Sequence, residues 1–155
     1  MAIPWDTKQS GFTLLELLIV VAIIGIIATI AYPNMQQQIA QMRVKDAANI
    51  TETALKQARA DALVYRSDVV VTAVAKAGDT PAYLKLTQVG NPNYPQTKYF
   101  NKNITGLSAG SVTFTPNKKA TTESVSFCYE AISTDKYTVT LDALTNIKMG
   151  KDGIC

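Results

Sequence analysis

The chain has 155 residues, of which 47% are hydrophobic and 17% are charged, so its length supports one domain with a real core. It contains no His and only two Cys, which excludes a four-ligand zinc site and removes the commonest general base. A net charge of +3 is too small to require a polyanionic partner. We therefore predict a protein that is not an enzyme and that binds no metal or cofactor.

The apolar residues concentrate in a run from Phe12 to Ala31, in which Glu16 is the only charged residue. As an α-helix this run spans about 30 Å, which matches the hydrocarbon core of a bilayer. It is apolar on every side, so it favours a membrane crossing or packing within a bundle of similar helices.

A cleavable secretory signal is the alternative interpretation, because Lys8 and the free amine precede the apolar run. It predicts cleavage near Ala31. The run is longer than the usual apolar region of a signal, and the small-residue cleavage site at its end is poor.

Glu16 is the most informative residue of this segment. A charged side chain near the middle of a membrane helix costs about 2.5–3.5 kcal/mol on insertion scales. Since Glu16 lies only five residues into the run, a position at the membrane interface is the simpler alternative.

The string from Gly11 to Glu16, GFTLLE, followed by an unbroken apolar helix, resembles the processing site of type IV pilins and of the related pseudopilins of type II secretion. The resemblance implies that a prepilin peptidase cuts between Gly11 and Phe12 on the cytoplasmic side and methylates the new terminal amine. Glu16 becomes the expected acidic residue of a mature chain of 144 residues, and Pro33 stands where many pilins carry a helix-kinking proline.

The same resemblance implies how the chain assembles. The Glu16 carboxylate pairs with the charged Phe12 amine of a neighbouring subunit, which offsets the cost of burying it and sets the register of the filament. The implied partners are other pilins in a helical filament, the peptidase and an inner-membrane assembly platform. The implied location is the bacterial inner membrane, crossed once with the N-terminus in the cytoplasm, and then the periplasm and the pilus on the cell surface.

The resemblance and the patterning together predict an α+β fold, the type IV pilin ladle, with a long N-terminal helix packed on an antiparallel β-sheet head. The predicted segments are a cleaved leader at 1–11, a transmembrane and assembly helix at 12–33, its amphipathic continuation at 34–66 and a β-rich head at 67–155. The predicted helix runs from 13 to 65. Its expected inner side consists of Val44, Ala47, Ala48, Thr51, Ala54, Leu55, Ala58, Ala62 and Tyr65.

Alternating and β-branched residues predict the strands of the head, and clusters of Gly, Pro and Asn predict its loops. The predicted strands are 69–75, 83–89, 98–104, 111–115, 124–130, 137–141 and 146–149. Loops are predicted at 90–95 and 116–122.

The stretch from Gln57 to Ala62, QARADA, leads into the first predicted strand and resembles the H-type pseudopilins and the FimT/FimU group of minor pilins. This subgroup implies a minor subunit that primes assembly or sits at the filament tip. A major pilin and a DNA-binding competence subunit are the alternatives.

Cys128 and Cys155 form an even pair in a domain that the resemblance places outside the cytoplasm, so we predict a disulfide that ties the tail to a strand. Two reduced thiols are the alternative. A C-terminal disulfide is also what the pilin resemblance implies.

Four lysines in the C-terminal part are candidate DNA contacts: Lys118, Lys119, Lys148 and Lys151. A solvated surface is the simpler explanation. The DNA-binding members of the FimT-like group use arginines in this region, whereas the last arginine here is Arg66.

Six aromatic residues are candidates for a stacking platform or for core packing: Tyr83, Tyr94, Tyr99, Phe100, Tyr129 and Tyr137. Asp135 and Asp142 flank a predicted strand, but their spacing fits no EF-hand, so we assign them no metal.

Overall fold

The structure is a computed structural model that describes residues 11–108, 110–117 and 119–155. The chain divides into two compact units, Met1–Gln36 and Gln37–Cys155. One helix, α1 (Leu14–Tyr65), contributes residues to both units. The prediction of a helix over 13–65 is confirmed to within one residue.

In the first unit, α1 is exposed along its whole described length, from Leu14 to Gln36. Pro33 lies inside the helix, where it has no N–H to donate to the carbonyl four residues earlier. Two side chains bond to helix carbonyls close by: Thr29 Oγ1 donates to the Ile26 oxygen at 2.7 Å, and Asn34 Nδ2 donates to the Ile30 oxygen at 3.3 Å. Side chains both before and after Pro33 therefore donate hydrogen bonds to backbone carbonyls of the same helix.

In the second unit, one side of α1 is built from small residues and is buried. Small side chains allow a close approach between a helix and a sheet. The buried residues of α1 are Ala40, Val44, Ala47, Ala48, Thr51, Ala54, Leu55, Ala58 and Ala62.

The second unit also contains eight strands in two four-stranded antiparallel sheets, in the orders β3-β2-β1-β5 and β4-β6-β7-β8. The prediction of an α+β fold with an antiparallel head is confirmed, with the strands divided between two sheets. The strands are β1 (Val69–Val74), β2 (Tyr83–Gln88), β3 (Asn91–Tyr99), β4 (Ile104–Thr105), β5 (Gly110–Phe114), β6 (Glu123–Tyr129), β7 (Asp135–Leu141) and β8 (Ile147–Ile154).

Both sheets and α1 contribute to one hydrophobic core. Val71, Leu84 and Leu86 come from the first sheet and are almost fully buried. Phe127 comes from the second sheet, and its ring contacts that of Phe100 with centroids 5.5 Å apart. Edge-to-face aromatic pairs of this kind add to the stabilisation that comes from area burial.

The prediction of a loop over 90–95 is wrong, because β3 begins at Asn91 and contains Pro92 and Pro95. β3 is an edge strand, where a proline costs no hydrogen bond if its nitrogen faces away from the neighbouring strand. The register with β2 also shifts between Leu86 and Gln88, so part of β3 bulges out of the ladder.

The prediction of one strand over 98–104 is also wrong. The chain leaves β3 at Tyr99 and turns at Asn101, whose side-chain oxygen accepts the Asn103 N–H at 3.2 Å and whose backbone oxygen accepts the Ile104 N–H at 2.9 Å. An Asx turn of this kind interrupts a run that is otherwise typical of a strand.

The last strand is longer than the predicted 146–149, since β8 continues to Ile154. Gly150, Asp152 and Gly153 weaken the strand signal in the sequence. A disulfide between Cys128 and Cys155 joins the end of the chain to β6, and the Cys155 N–H donates to the Thr134 oxygen at 2.9 Å. These bonds hold the tail beside β7.

Candidate processing and assembly segment

The helix begins with a side-chain cap. Thr13 Oγ1 accepts the backbone N–H of Glu16 at 3.2 Å, and the Thr13 carbonyl accepts the N–H of Leu17 at 3.2 Å. Thr13 and Glu16 have the spacing of a capping box, in which the threonine satisfies a free N–H of the first turn. The negative carboxylate also lies where the helix dipole favours it. The string TLLE carries this capping signal in the sequence itself.

The apolar side chains on both sides of Thr13 are exposed. Phe12 is 84% exposed, Leu14 is 82% exposed, and the most apolar 18-residue window of α1 has no buried residue. By length and composition this part of α1 is able to cross a membrane. Among the described residues, Glu16 forms no ion pair within the chain.

Gly11 lies immediately before this capped turn, and a Cβ at its position would meet no atom within 4 Å. Its backbone does not have a positive φ. The described fold therefore gives no internal reason for a glycine at position 11.

Comparison with known proteins adds a second line of evidence for this segment. Residues 6–32 match the family model of the prokaryotic N-terminal methylation motif. A fimbrial protein of Pseudomonas aeruginosa is 46% identical over 68 residues, which cover 44% of each chain. The type IV major pilin protein PilE1 of Neisseria gonorrhoeae is 47% identical over 47 residues, which cover 30% of this chain and 28% of that protein.

The N-terminal segment of this chain is thus similar to that of type IV pilins. The fimbrial protein EcpC of Eikenella corrodens is 52% identical over 42 residues, which cover 27% of this chain and 28% of that protein. The chain spans less than half the length of these curated relatives. No solved structure matches it.

The two candidate DNA contacts on β8 do not form one cluster. Lys148 pairs with Thr140 and Lys151 with Tyr137, so the alternation of the strand directs the two lysines to opposite sides. Lys151 forms an ion pair with Asp135 at 2.8 Å, and this carboxylate raises the pKa of Lys151.

The other two lysines belong to the segment between β5 and β6. Lys118 lies outside the described residues, and Lys119 is exposed, with its carbonyl accepting the Thr115 N–H at 3.0 Å. DNA contact by the four lysines stays a prediction.

Two of the six aromatic candidates have structural partners. Tyr94 is buried and its hydroxyl donates to the Asp61 carboxylate, while burial first and this carboxylate second raise the pKa of Tyr94. The Tyr129 hydroxyl accepts hydrogen bonds from Arg43 Nη1 and Asn103 Nδ2, each at 2.8 Å. These two tyrosines connect the helix or a loop to the sheets.

Of the other four, Phe100 is buried in the core and Tyr137 is half-buried opposite Lys151. Tyr83 and Tyr99 face each other across two strands, with ring centroids 5.4 Å apart. The six residues therefore do not form one platform, but one pair remains in which Tyr99 is exposed and Tyr83 is half-buried.

Asp142 organises the turn between β7 and β8. Its Oδ1 accepts the N–H groups of Leu144 and Asn146, each at 2.9 Å, and its Oδ2 accepts the Asn146 side chain at 2.9 Å. These bonds, led by the one from the Asn146 side chain, lower the pKa of Asp142. Within the described residues, no group of three His, Cys, Asp or Glu side chains has the arrangement of a metal site.

Proposed function

We propose that this chain is a type IV pilin, a structural subunit of a pilus filament, and that it assembles through residues 12–33. The observation that carries the proposal is a single carboxylate, Glu16, in an exposed apolar stretch of α1 that itself lies within the segment matched by the methylation motif, residues 6–32. A charge in this setting is costly in lipid and becomes favourable when a neighbouring subunit supplies a cation.

The proposal includes the processing step. A prepilin peptidase removes residues 1–11, methylates the amine of Phe12 and leaves the helix in the inner membrane with its N-terminus towards the cytoplasm. An assembly platform then transfers the subunit into the filament. This step is supported by Gly11, where a Cβ would meet no atom of the described residues within 4 Å, because a requirement for a small residue there would then come from an external enzyme.

Within the filament, we propose a minor subunit that primes assembly or sits at the tip. The support is the stretch Gln57–Ala62 and its resemblance to the H-type pseudopilins and the FimT/FimU group. A major pilin is the second candidate, favoured by similarity to relatives such as the type IV major pilin protein PilE1 of Neisseria gonorrhoeae. Their identity to this chain is confined to 68 residues or fewer, so it does not distinguish the two roles.

Quantitative mass spectrometry of sheared, purified surface filaments tests both the assignment to a pilus and the role as a minor subunit. A terminal peptide that begins with methylated Phe12, at a small ratio to the dominant subunit, is the expected result. Dominance of this chain in the filament would establish the major pilin instead. Absence from surface filaments would indicate a secretion pseudopilus, and a terminus near Ala31 would contradict the pilin assignment.

A further inference from the structure

The sheet β3-β2-β1-β5 has an outer face on the side opposite the core. The side chains of this face do not pack in the core. The even-numbered residues of β2, such as Leu84 and Leu86, point inward and are buried. Because side chains alternate along a strand, Tyr83, Lys85 and Thr87 lie on the opposite side. We call this surface, built on β1, β2, β3 and β5, the outer face.

Two aromatic rings lie side by side at one end of the outer face. Tyr83 and Tyr99 are directly opposite each other in the ladder, with centroids 5.4 Å apart and ring planes at 50°. Tyr99 is 61% exposed. Exposed aromatic rings in a fixed arrangement provide a large contact area at a low cost in conformational entropy.

An open cleft of about 500 Å³ lies further along β2, starting at Lys85, two residues from Tyr83, and the two tyrosines do not line it. The bulge of β3 contributes to its lining, and the Asn91 amide is held by a hydrogen bond to Gln88 Oε1 at 2.9 Å. The residues that line the cleft are Lys85, Thr87, Gln88, Gly90, Asn91, Pro92 and Pro95.

On β1, the outer residue opposite Tyr83 is Val74, and the next outer row of the ladder is hydroxylic apart from one lysine. In the ladder, Thr72 stands between Ser111 and Lys85, and Lys85 in turn faces Thr97. Lys85 is the only charged residue among the described outer positions of the four strands. The outer face therefore offers aromatic rings, hydroxyls, an amide and a single cation.

We infer that the outer face binds an extended neutral glycan. Such sugars present flat C–H surfaces that pack on tyrosine rings, and their hydroxyls bond with side-chain hydroxyls, amides and one ammonium group. A single-stranded nucleic acid would stack equally well, but it requires a basic groove along its backbone, and this face supplies one lysine. The inference is independent of the pilus proposal.

Binding of cellohexaose and chitohexaose to the full chain, measured by isothermal titration calorimetry, tests the inference. The chain is held in lauryldimethylamine oxide micelles, because a sugar-based detergent would compete for the site. We expect saturable binding of at least one hexasaccharide. Tyr99→Ala should raise its Kd about tenfold, whereas Tyr99→Phe should retain it, since the ring and not the hydroxyl makes the contact.

The matched control is Tyr65→Ala. Tyr65 is 56% exposed, and the centroid of its ring lies 6.3 Å from that of Tyr94. It therefore resembles Tyr99 in exposure and in having a tyrosine neighbour, but it lies on α1 and not on the outer face. Circular dichroism establishes that each variant keeps its fold. An equal loss of binding in Tyr65→Ala, or no binding of either hexasaccharide by the folded chain, would overturn the inference.

Oligo(dT) is the competing ligand in the same experiment. Binding of oligo(dT) alone, with a steep dependence on salt and loss in Lys85→Gln, would reassign the outer face to nucleic acid and overturn the glycan inference. Salt-independent binding of the sugar with no binding of oligo(dT) is the expected pattern.

Discussion

Glu16 combines a local and a proposed intermolecular role at one position. Its backbone N–H completes the cap made by Thr13, and its carboxylate is free for a neighbouring subunit. These roles are separable, because substitutions at Glu16 and at Thr13 remove different groups. A Thr13 variant loses only the cap, at a cost of about 1 kcal/mol of helix stability.

We predict that Glu16→Ala leaves membrane insertion intact but strongly reduces incorporation into filaments. Without the carboxylate, nothing pairs with the amine of the adjacent subunit, while the helix itself becomes more apolar. The measurement is the ratio of the variant in sheared filaments to that in membranes. Thr13→Ala is the control and should assemble; normal incorporation of Glu16→Ala would contradict the proposed role.

Gly11 gives the prediction for processing. Gly11→Leu should leave the fold unchanged, since a Cβ there meets nothing within 4 Å, but it should block cleavage at the peptidase. Intact-mass spectrometry from a peptidase-positive strain measures the outcome. A variant with the same mature mass as the unaltered chain would refute the cleavage site.

Asp142 gives a prediction for pH. Its pKa in the fold lies below the ordinary value of 3.8, so its contribution to stability is present above that value and is lost as pH falls through the lowered pKa. Asp142→Ala should therefore lower Tm at pH 7, and this difference should shrink towards about pH 2. Asp79→Ala, at an exposed turn residue, is the control; a Tm difference independent of pH would argue against the carboxylate as the cause.

At the scale of elements, α1 ends in an unfavourable backbone conformation that a substitution can relieve. Arg66 follows the last helical residue and has a φ of 51°, in the left-handed region that favours glycine. It is exposed, and no described hydrogen bond or ion pair holds its side chain. The helix thus ends in a conformation that a residue with a Cβ adopts at a cost.

We predict that Arg66→Gly raises the free energy of unfolding by about 0.5–1 kcal/mol. Relief of the left-handed strain exceeds the entropy that the glycine adds to the unfolded chain. Thermal unfolding in detergent measures the change. Arg66→Ala keeps the strain and serves as the control, so an equal gain in both variants would attribute the effect to the lost charge instead.

Sequence patterning predicts α1 and the central strands well because each of them has a buried side, and burial restricts the residue types found there. Small residues at three- and four-residue steps define the buried side of the helix, and alternation defines β1 and β2. Patterning fails at β3 and β8, which lie at sheet edges and are mostly exposed. Each of these strands pairs with only one neighbouring strand. The prolines of β3 and the glycines of β8 lower the strand propensity of the sequence, so the pairing is not evident from it.

The same distinction applies to the candidate site. The string GFTLLE identifies the processing segment without any tertiary information, and residues 6–32 match the methylation motif. The pairing of Tyr83 with Tyr99 depends on strand register, which periodicity alone does not supply. Both tyrosines are therefore recognisable in the sequence as aromatic candidates, but not as a pair.

At the scale of the whole molecule, the disulfide is the one covalent link between distant parts of the second unit. Cys128 lies on β6 and Cys155 ends the chain, 27 residues later. On the chain-entropy model, closing a loop of this size stabilises the fold by about 3–4 kcal/mol.

We predict that Cys128→Ser combined with Cys155→Ser lowers the free energy of unfolding by about that amount. Denaturant unfolding of the full chain in micelles, with and without a reductant, measures the change. The reductant should destabilise the unaltered chain and leave the double variant unaffected. Equal unfolding midpoints for the oxidised chain and the double variant would mean that the link adds nothing to stability.

The position of the disulfide also determines how the protein responds to a protease. Most of β8 and the turns around it are exposed, and all of them lie between Cys128 and Cys155. A single cut in that interval leaves both fragments attached to one another through sulfur. The nicked chain therefore migrates as one species until a thiol is added, and only then does it separate into two.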